Sequence, residues 1–413
     1  MISFNQYLEE AADSAQNLHM THADEDLFER GDKGAVAAVE FCKDIVRNVG
    51  RGSTKLTVKW DGAPAIFAGH DPKDGQFFVG TKSVFAKNPK LYKTHAEIDA
   101  QESGGKADKL HVALEELRKI GIPKGEVLQG DILWTTGDLK HETIDGKRWV
   151  TAHPNTIVYA WESESETGKA IKNSLIGVVF HTVYKGRGDL ANYKASYGYD
   201  VSKLKRTRTV WFDDANYKGA DVAFSEAEIA EVVKLVKRAE SLIGGFDGVA
   251  QLMHSLPSGA VGAGVKTYIN SLIRNGKLPK PATAAKDYVN YLNDYWEEKV
   301  VAKVKTESSK EKKRAALEQF KAELRNNMSA LQRAFEFVDA ITQAKMLIVT
   351  KLNDMTKNKM FVKTASGFKV TAPEGYVAIS GEKGEAVKFI DRLSFSHFNF
   401  SKDYLKGWES AKR

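Results

Sequence analysis

The chain contains one cysteine, Cys42, in 413 residues. A single thiol closes no internal disulfide and excludes every multi-cysteine zinc arrangement, so the sequence points away from a secreted disulfide scaffold and toward a reducing cytosol. Within Val39-Glu-Phe-Cys-Lys-Asp-Ile-Val that thiol is expected to serve as a small core group. No apolar run approaches the ~20 residues that a membrane span needs. The opening Met-Ile-Ser-Phe, followed by Glu9, Glu10 and Asp13, has the wrong charge order for a signal peptide. Internal repeats and low-complexity tracts are absent as well. Nor does one sign of charge dominate: 61 Lys and Arg stand against 54 Asp and Glu, a net +7 that permits a nucleic-acid partner without requiring one.

What is present is enough to fold. Hydrophobic residues make up 42% of the chain and aromatics 10%, which supports a sizeable core, and the length suits two or three units. Helical periodicity covers residues 4–17 and 34–49, on either side of a polar stretch with His22, Asp24, Glu25 and Asp26. From Leu56 to Tyr184, short β-branched and aromatic runs are separated by Gly, Asp, Pro and Asn turn signals, with one helix near Ala107–Ile120. Residues 225–355 read as helical, starting at a Ser225/Glu228 capping box and including long helices over 284–305 and 309–351. Strand patterns return after Met360. The sequence therefore predicts an α+β fold: an N-terminal helical segment over 1–50 packed on a catalytic domain, that domain built from 51–224 and 356–413, and a helical insertion over 225–355.

The chemical signal starts at Lys59-Trp60-Asp61-Gly62, which ends a predicted strand and leads into Ala63-Pro64-Ala65-Ile66. Alone, this is a lysine beside an Asp-Gly turn. It is followed in order by Thr81-Lys82-Ser83, Leu128-Gln-Gly130-Asp131-Ile-Leu, Val178-Val-Phe180-His181-Thr-Val-Tyr184, Pro373-Glu374-Gly375-Tyr376-Val377 and Val387-Lys388-Phe-Ile, each on a predicted strand or strand end. The ordered set resembles the covalent nucleotidyltransferases, the superfamily of ATP-dependent polynucleotide ligases and mRNA-capping guanylyltransferases.

The resemblance implies an ATP-grasp-like domain of antiparallel sheets, interrupted by the helical insertion. It also implies ATP and Mg²⁺ (or Mn²⁺) as cofactors. Lys59 would be the nucleophile, oriented by Asp61, and Gly62 would let the backbone approach the nucleotide. Lys82 would hold the ribose side, Phe180 would stack on the purine if it is not plain core, and Glu374, Gly375 and Asp131 would line the nucleotide, the two carboxylates as metal ligands. Lys388 would supply positive field at the α-phosphate. The sequence departs from the family pattern at Asp131 (usually Glu), at Lys82 (more often Arg) and at a single Lys388 where many ligases have Lys-x-Lys. Only 25 residues follow Lys388, so no C-terminal OB-fold is expected. That favours a monomeric RNA ligase over a DNA nick ligase or a guanylyltransferase-like enzyme. A non-catalytic phage nucleic-acid-binding protein is the contrasting reading. His22-Ala-Asp24-Glu-Asp26-Leu, Lys59-Trp-Asp-Gly-Ala-Pro-Ala and Phe180-His-Thr-Val-Tyr also resemble an uncharacterised family of large T4-type tailed phages, which implies a host cytoplasm.

Three further features carry expectations. Lys303, Lys305, Lys310, Lys312, Lys313 and Arg314 outnumber Glu307 and Glu311, which suits either a solvated helix face or a clamp on nucleic-acid phosphates. Lys203, Lys205, Arg206 and Arg208 precede Trp211 and Phe212, a composition able to stack a single strand. His19 and His22 have metal-sharing spacing but no evident third ligand. His22, Asp24 and Asp26 are expected in a loop, with a substrate contact as the alternative, and His181 reads as a satisfied half-buried histidine.

Overall fold

The computed structural model of the protein describes residues 20–48, 52–217, 223–256, 264–354, 359–380 and 385–407. A short strand, β1 (Thr21–His22), passes through an acidic turn into α1 (Leu27–Arg30) and α2 (Asp32–Asn48). Then come β2 (Thr54–Lys59), β3 (Ala65–His70) and β4 (Phe77–Gly80), a 3₁₀ turn at Lys82–Phe85, α3 (His95–Gln101) and α4 (Gly104–Leu117). β5 (Glu126–Thr135), β6 (Lys140–Ile144), β7 (Lys147–Ala152) and β8 (Ile157–Glu162) lead to α5 (Glu166–Lys172), β9 (Ile176–Lys185), β10 (Lys194–Tyr197) and β11 (Val210–Asp214). The helical region holds α6 (Glu226–Glu240), α7 (Phe246–His254), α8 (Val265–Arg274), α9 (Ala284–Trp296) with a π turn at Glu297–Val301, α10 (Glu307–Asn326) and α11 (Met328–Asp354). β12 (Lys359–Thr364), β13 (Gly367–Thr371), β14 (Gly375–Ser380), β15 (Ala386–Phe389), α12 (Arg392–Phe400) and β16 (Tyr404–Leu405) follow.

Among the described residues these strands form three sheets. One runs β1-β15-β14-β2, a second β10-β9-β5-β3-β4 with β11 beside β9, and a third β13-β12-β8-β7-β6 with β16 beside β12. Pairing is mostly antiparallel, as expected, but β1 lies parallel to β15 and β11 parallel to β9. No helix among the described residues is long and apolar enough to cross a membrane.

The helices follow their apolar spacing. Ala35, Ala38, Cys42 and Ile45 recur at three- and four-residue steps and are fully buried on α2. Burial also pushes the Cys42 thiol up to about 12, so it stays protonated and unreactive, as its core position requires. The capping box at Ser225 forms, the hydroxyl accepting from Glu228 N–H and the Glu228 carboxylate from Ser225 N–H. The long helix expected over 309–351 is instead two. Asn327 leaves helical geometry, its side-chain amide donates to the Glu323 carbonyl at 2.9 Å, and α11 starts afresh. Similarly, the helix expected over 284–305 gives way to the π turn at Glu297.

Two observations concern organisation. In the N-terminal segment β1 joins one of the sheets, whereas α1 packs on α7 and α2 packs on α6 and α11. The helical region likewise shares one continuous core with α2, β2, β14 and β15. The presumed single-strand platform is a strand of the sheet. Phe212 on β11 is fully buried, the Arg206 guanidinium lies 4.1 Å over its ring, and Trp211 packs on Trp134 and Trp161, so these rings are committed to the fold.

Candidate active site

Lys59 ends β2, and the chain then turns sharply through Trp60-Asp61-Gly62. Trp60 is buried against Tyr159 on β8, with ring centroids 4.7 Å apart. Asp61 N–H donates to the Tyr159 hydroxyl at 2.6 Å, and the Asp61 carboxylate accepts from Asn155 Nδ2 and Thr156 N–H, both at 2.9 Å, and from Ile157 N–H at 3.3 Å. Asp61 therefore pins the turn that follows Lys59 to the start of β8. Gly62 is required for space: a Cβ there would sit 2.5 Å from Asp131 Cβ. The turn is tied to β5 by Ala63 N–H to the Ile132 carbonyl at 3.0 Å.

The register of β2 against β14 sets Lys59 opposite Gly375. Lys59 Nζ forms an ion pair with Glu374, 315 residues away in the chain. Gly375 also has no room for a side chain, since a Cβ would lie 2.6 Å from the Phe389 carbonyl oxygen. One strand further, Lys388 faces Val377, and His22 of β1 faces Lys388, so Lys59, Lys388 and His22 share one face of the sheet. Asp131 approaches from β5. Between Gln129 and Gly130 the β5–β9 register shifts and leaves His181 without an opposite residue, and its Nε2 comes within 3.7 Å of Asp131 Oδ2.

The electrostatics follow from enclosure. Burial drives the Asp131 carboxyl up to about 7 against the pull of Lys59, with Glu374 and Asp61 adding to the rise. Burial likewise raises Glu374, and Lys59 opposes that rise. The same desolvation brings His181 down to about 4, helped by the Lys59 charge, so its imidazole is neutral at pH 7. Lys388 is held below the usual lysine range by burial first and by Lys59 next. His22 is neutral for the same reason, burial with Arg392 adding, and its Nδ1 is buried with no partner among the described residues.

Asp131 gives a direct test. Its folded pKa lies above its unfolded one, so the stability it contributes is complete below the ordinary carboxylate range and is lost as pH rises from ~4 through about 7. Asp131→Asn is expected to be more stable than the parent at pH 8, by on the order of 2 kcal/mol, with the gap closing at pH 4. Urea midpoints at both values measure this, and equal midpoints at pH 8 would refute the enclosure of Asp131.

Other expected residues lie elsewhere. Phe180 does not stack on a ligand: it is fully buried with its ring 6.3 Å from Phe212, in the core that backs α4. Lys82 is exposed on the 3₁₀ turn after β4, which is separated from β5 by β3. Lys303, Lys305 and Lys312 are exposed, Lys313 is partly covered, and Arg314 is already held by Glu297 through contacts of 2.9 and 3.0 Å. These residues lie on α10 and the turn before it, and α10 packs on α9, the π turn and α11.

His19 lies outside the described residues. Among the described residues no group of three or more His, Cys, Asp or Glu is placed to hold a metal ion. Asp131 and Glu374 both feel the charge of Lys59, and their hard oxygens are of the kind that Mg²⁺ and Mn²⁺ take. A bulge brings His181 to Asp131 and a parallel pairing sets His22 opposite Lys388, and neither feature has a local sequence signature.

Residues 17–404 match one family, described as "Family of unknown function (DUF6267)". No curated protein and no solved structure matches the chain.

Proposed function

We propose that the chain, which belongs to the DUF6267 family and so to one whose description assigns no chemistry, is an ATP-dependent polynucleotide ligase that is adenylylated on Lys59. What supports the reading is the ion pair of Lys59 with Glu374 across 315 residues, on a sheet face that also carries Lys388 and is approached by Asp131 and His181. A second, half-buried lysine on the face of the pair suits phosphoryl chemistry, in which positioned cations offset phosphate charge.

An amine attacks phosphorus only when neutral. Glu374 is the base in contact with Lys59, and its raised affinity for protons suits it to take the ammonium proton. The Lys59 Nζ–Pα bond then forms, the bond from Pα to the bridging oxygen breaks, and pyrophosphate leaves with the electron pair. Lys388 offsets charge on the α-phosphate. A Mg²⁺ or Mn²⁺ held by Asp131, with Glu374 left to take the proton, would supply further neutralisation of phosphate charge. The AMP passes next to a 5′-phosphate and is displaced by a neighbouring 3′-OH. RNA ends are the first acceptor to test and nicked DNA the second.

Incubation with α-labelled ATP and Mg²⁺ tests the first step. The expected result is an acid-labile covalent label, and no label with any nucleoside triphosphate under varied divalent metals sinks the proposal. The exposed lysines before and on α10 provide a separate check on the polynucleotide. Lys305→Glu with Lys312→Glu is expected to weaken binding of a labelled RNA and to reduce the slope of log affinity against log salt by ~1–2. An unchanged slope rejects that face as a phosphate contact.

A further inference from the structure

A cleft of about 790 Å³ opens at the far end of the second sheet from Asp131. Ala65, at the start of β3, faces Asp131, and the cleft begins at His70, five residues or about 17 Å further along the same strand. Its walls are the β3–β4 turn, the residues leading into β5 and the chain leaving β9, and its size is that of a small-molecule site. The last two walls are joined by a hydrogen bond from Gly186 N–H to the Gly125 carbonyl at 3.3 Å, and each carries a cation beside that bond, Lys124 on one side and Arg187 on the other. Both cations line the cleft and are exposed, and among the described residues neither has an ion-pair partner. The carboxylates of the walls are already matched: Asp71 is paired with Lys93 at 2.5 Å and Glu126 with Lys185 at 2.8 Å. In the β3–β4 turn a Cβ on Gly75 would come to 3.9 Å from Lys124 Nζ, so the ammonium ends against bare backbone.

The cleft therefore presents two uncompensated positive charges from neighbouring loops. A guanidinium fork beside an ammonium matches a group that concentrates two negative charges on one tetrahedral centre. A phosphomonoester is such a group, carrying about −1.5 to −2 at pH 7, whereas a phosphodiester carries one charge and a dicarboxylate spreads its two apart. We propose that the Lys124–Arg187 cleft is a second ligand site, which takes the phosphate of a phosphomonoester, either a free nucleotide or the 5′-phosphate end of a polynucleotide. No bond is made or broken there: Lys124 and Arg187 hold the phosphate oxygens, and the glycines of the walls let the group approach the backbone. The site is separate from Lys59 and stands whether or not Lys59 is adenylylated.

Glycine-selective ¹⁵N labelling of the full chain reads the two sites apart, since Gly125, Gly186 and Gly188 line the cleft whereas Gly62 and Gly375 lie at Lys59. Inorganic phosphate and AMP are each expected to shift the first three amides saturably. Lys124→Ala and Arg187→Ala should each weaken that response about tenfold, and the double variant should remove it. Both side chains are exposed, so the variants should melt with the parent. A short oligonucleotide with a 5′-phosphate that moves the same amides assigns the polynucleotide end as the source, and a response to AMP without it assigns a free nucleotide. Cleft amides that stay in place with every probe, that move with inorganic phosphate alone, that respond equally in the double variant, or that move as readily with the 5′-hydroxyl oligonucleotide overturn the proposal. Shifts confined to Gly62 and Gly375 overturn it too, and leave the reading of Lys59 intact.

Discussion

Lys59→Arg is expected to take up no label from α-labelled ATP, while melting close to the parent. The guanidinium keeps the charge that Glu374 requires, but it remains protonated at any working pH and offers no lone pair to phosphorus. Lys59→Ala should be equally unlabelled and less stable, because it leaves the buried Glu374 carboxylate without its cation. Glu374→Gln keeps the shape and removes the base, so labelling should slow by roughly 10²–10⁴. Gel autoradiography of the variants, with mass mapping of the labelled peptide, reads all three. Full labelling of Lys59→Arg, or a labelled peptide lacking residue 59, would refute the assignment of the nucleophile.

The second large effect concerns stability. Asp24 and Lys345 are almost fully buried, 2.6 Å apart, and Thr342 Oγ1 donates to the other Asp24 oxygen at 3.1 Å. Burial alone would raise the Asp24 pKa, yet the Lys345 ammonium overrides it and, with Arg392, holds the carboxyl well below its usual range. Its contribution is therefore present above the ordinary aspartate pKa and lost as pH falls toward the lowered one. Lys345→Met strands the carboxylate and should cost about 3–5 kcal/mol at pH 7. The sign of the pH dependence then reverses. Without the ammonium, Asp24 gains stability on protonation, so the deficit against wild type should narrow as pH drops toward ~4. Urea titrations at pH 7 and pH 4.5 measure both numbers. A pH 7 midpoint unaltered by Lys345→Met would show that the pair is dispensable. Asp24→Leu combined with Lys345→Met should recover much of the loss, since an apolar pair needs no desolvation.

How far the sequence could be read depends on whether a residue's partner is local. The strand ends at Lys59, Glu374 and Lys388 were legible because two-residue alternation and glycine punctuation mark them, and ordered motifs implied their convergence. Phe180 was misplaced because the register shift at Gln129–Gly130 sends it to the core and leaves its neighbour His181 at Asp131, and a bulge leaves no trace in composition. β11 was hidden by its basic approach, which reads as surface until Arg206 is seen lying over Phe212. The acidic turn after β1 looked like a solvated loop. Asp26 keeps a local cation, Arg30, but those of Asp24 and Glu25, Lys345 and Arg392, come from 321 and 367 residues downstream, beyond the reach of any local charge pattern.

The pairing of β2 with β14 has a consequence in time. A ribosome adding about 5–20 residues per second needs roughly 15–60 s between Lys59 and Glu374, and throughout that interval the strand carrying Lys59 has no β14 beside it. The nascent chain thus emerges with an unpaired strand edge and no partner for its lysine. The Lys59–Glu374 pair must wait for the later strands, so if Lys59 is adenylylated as proposed, the modification would mark chains whose synthesis has passed the end of the helical region.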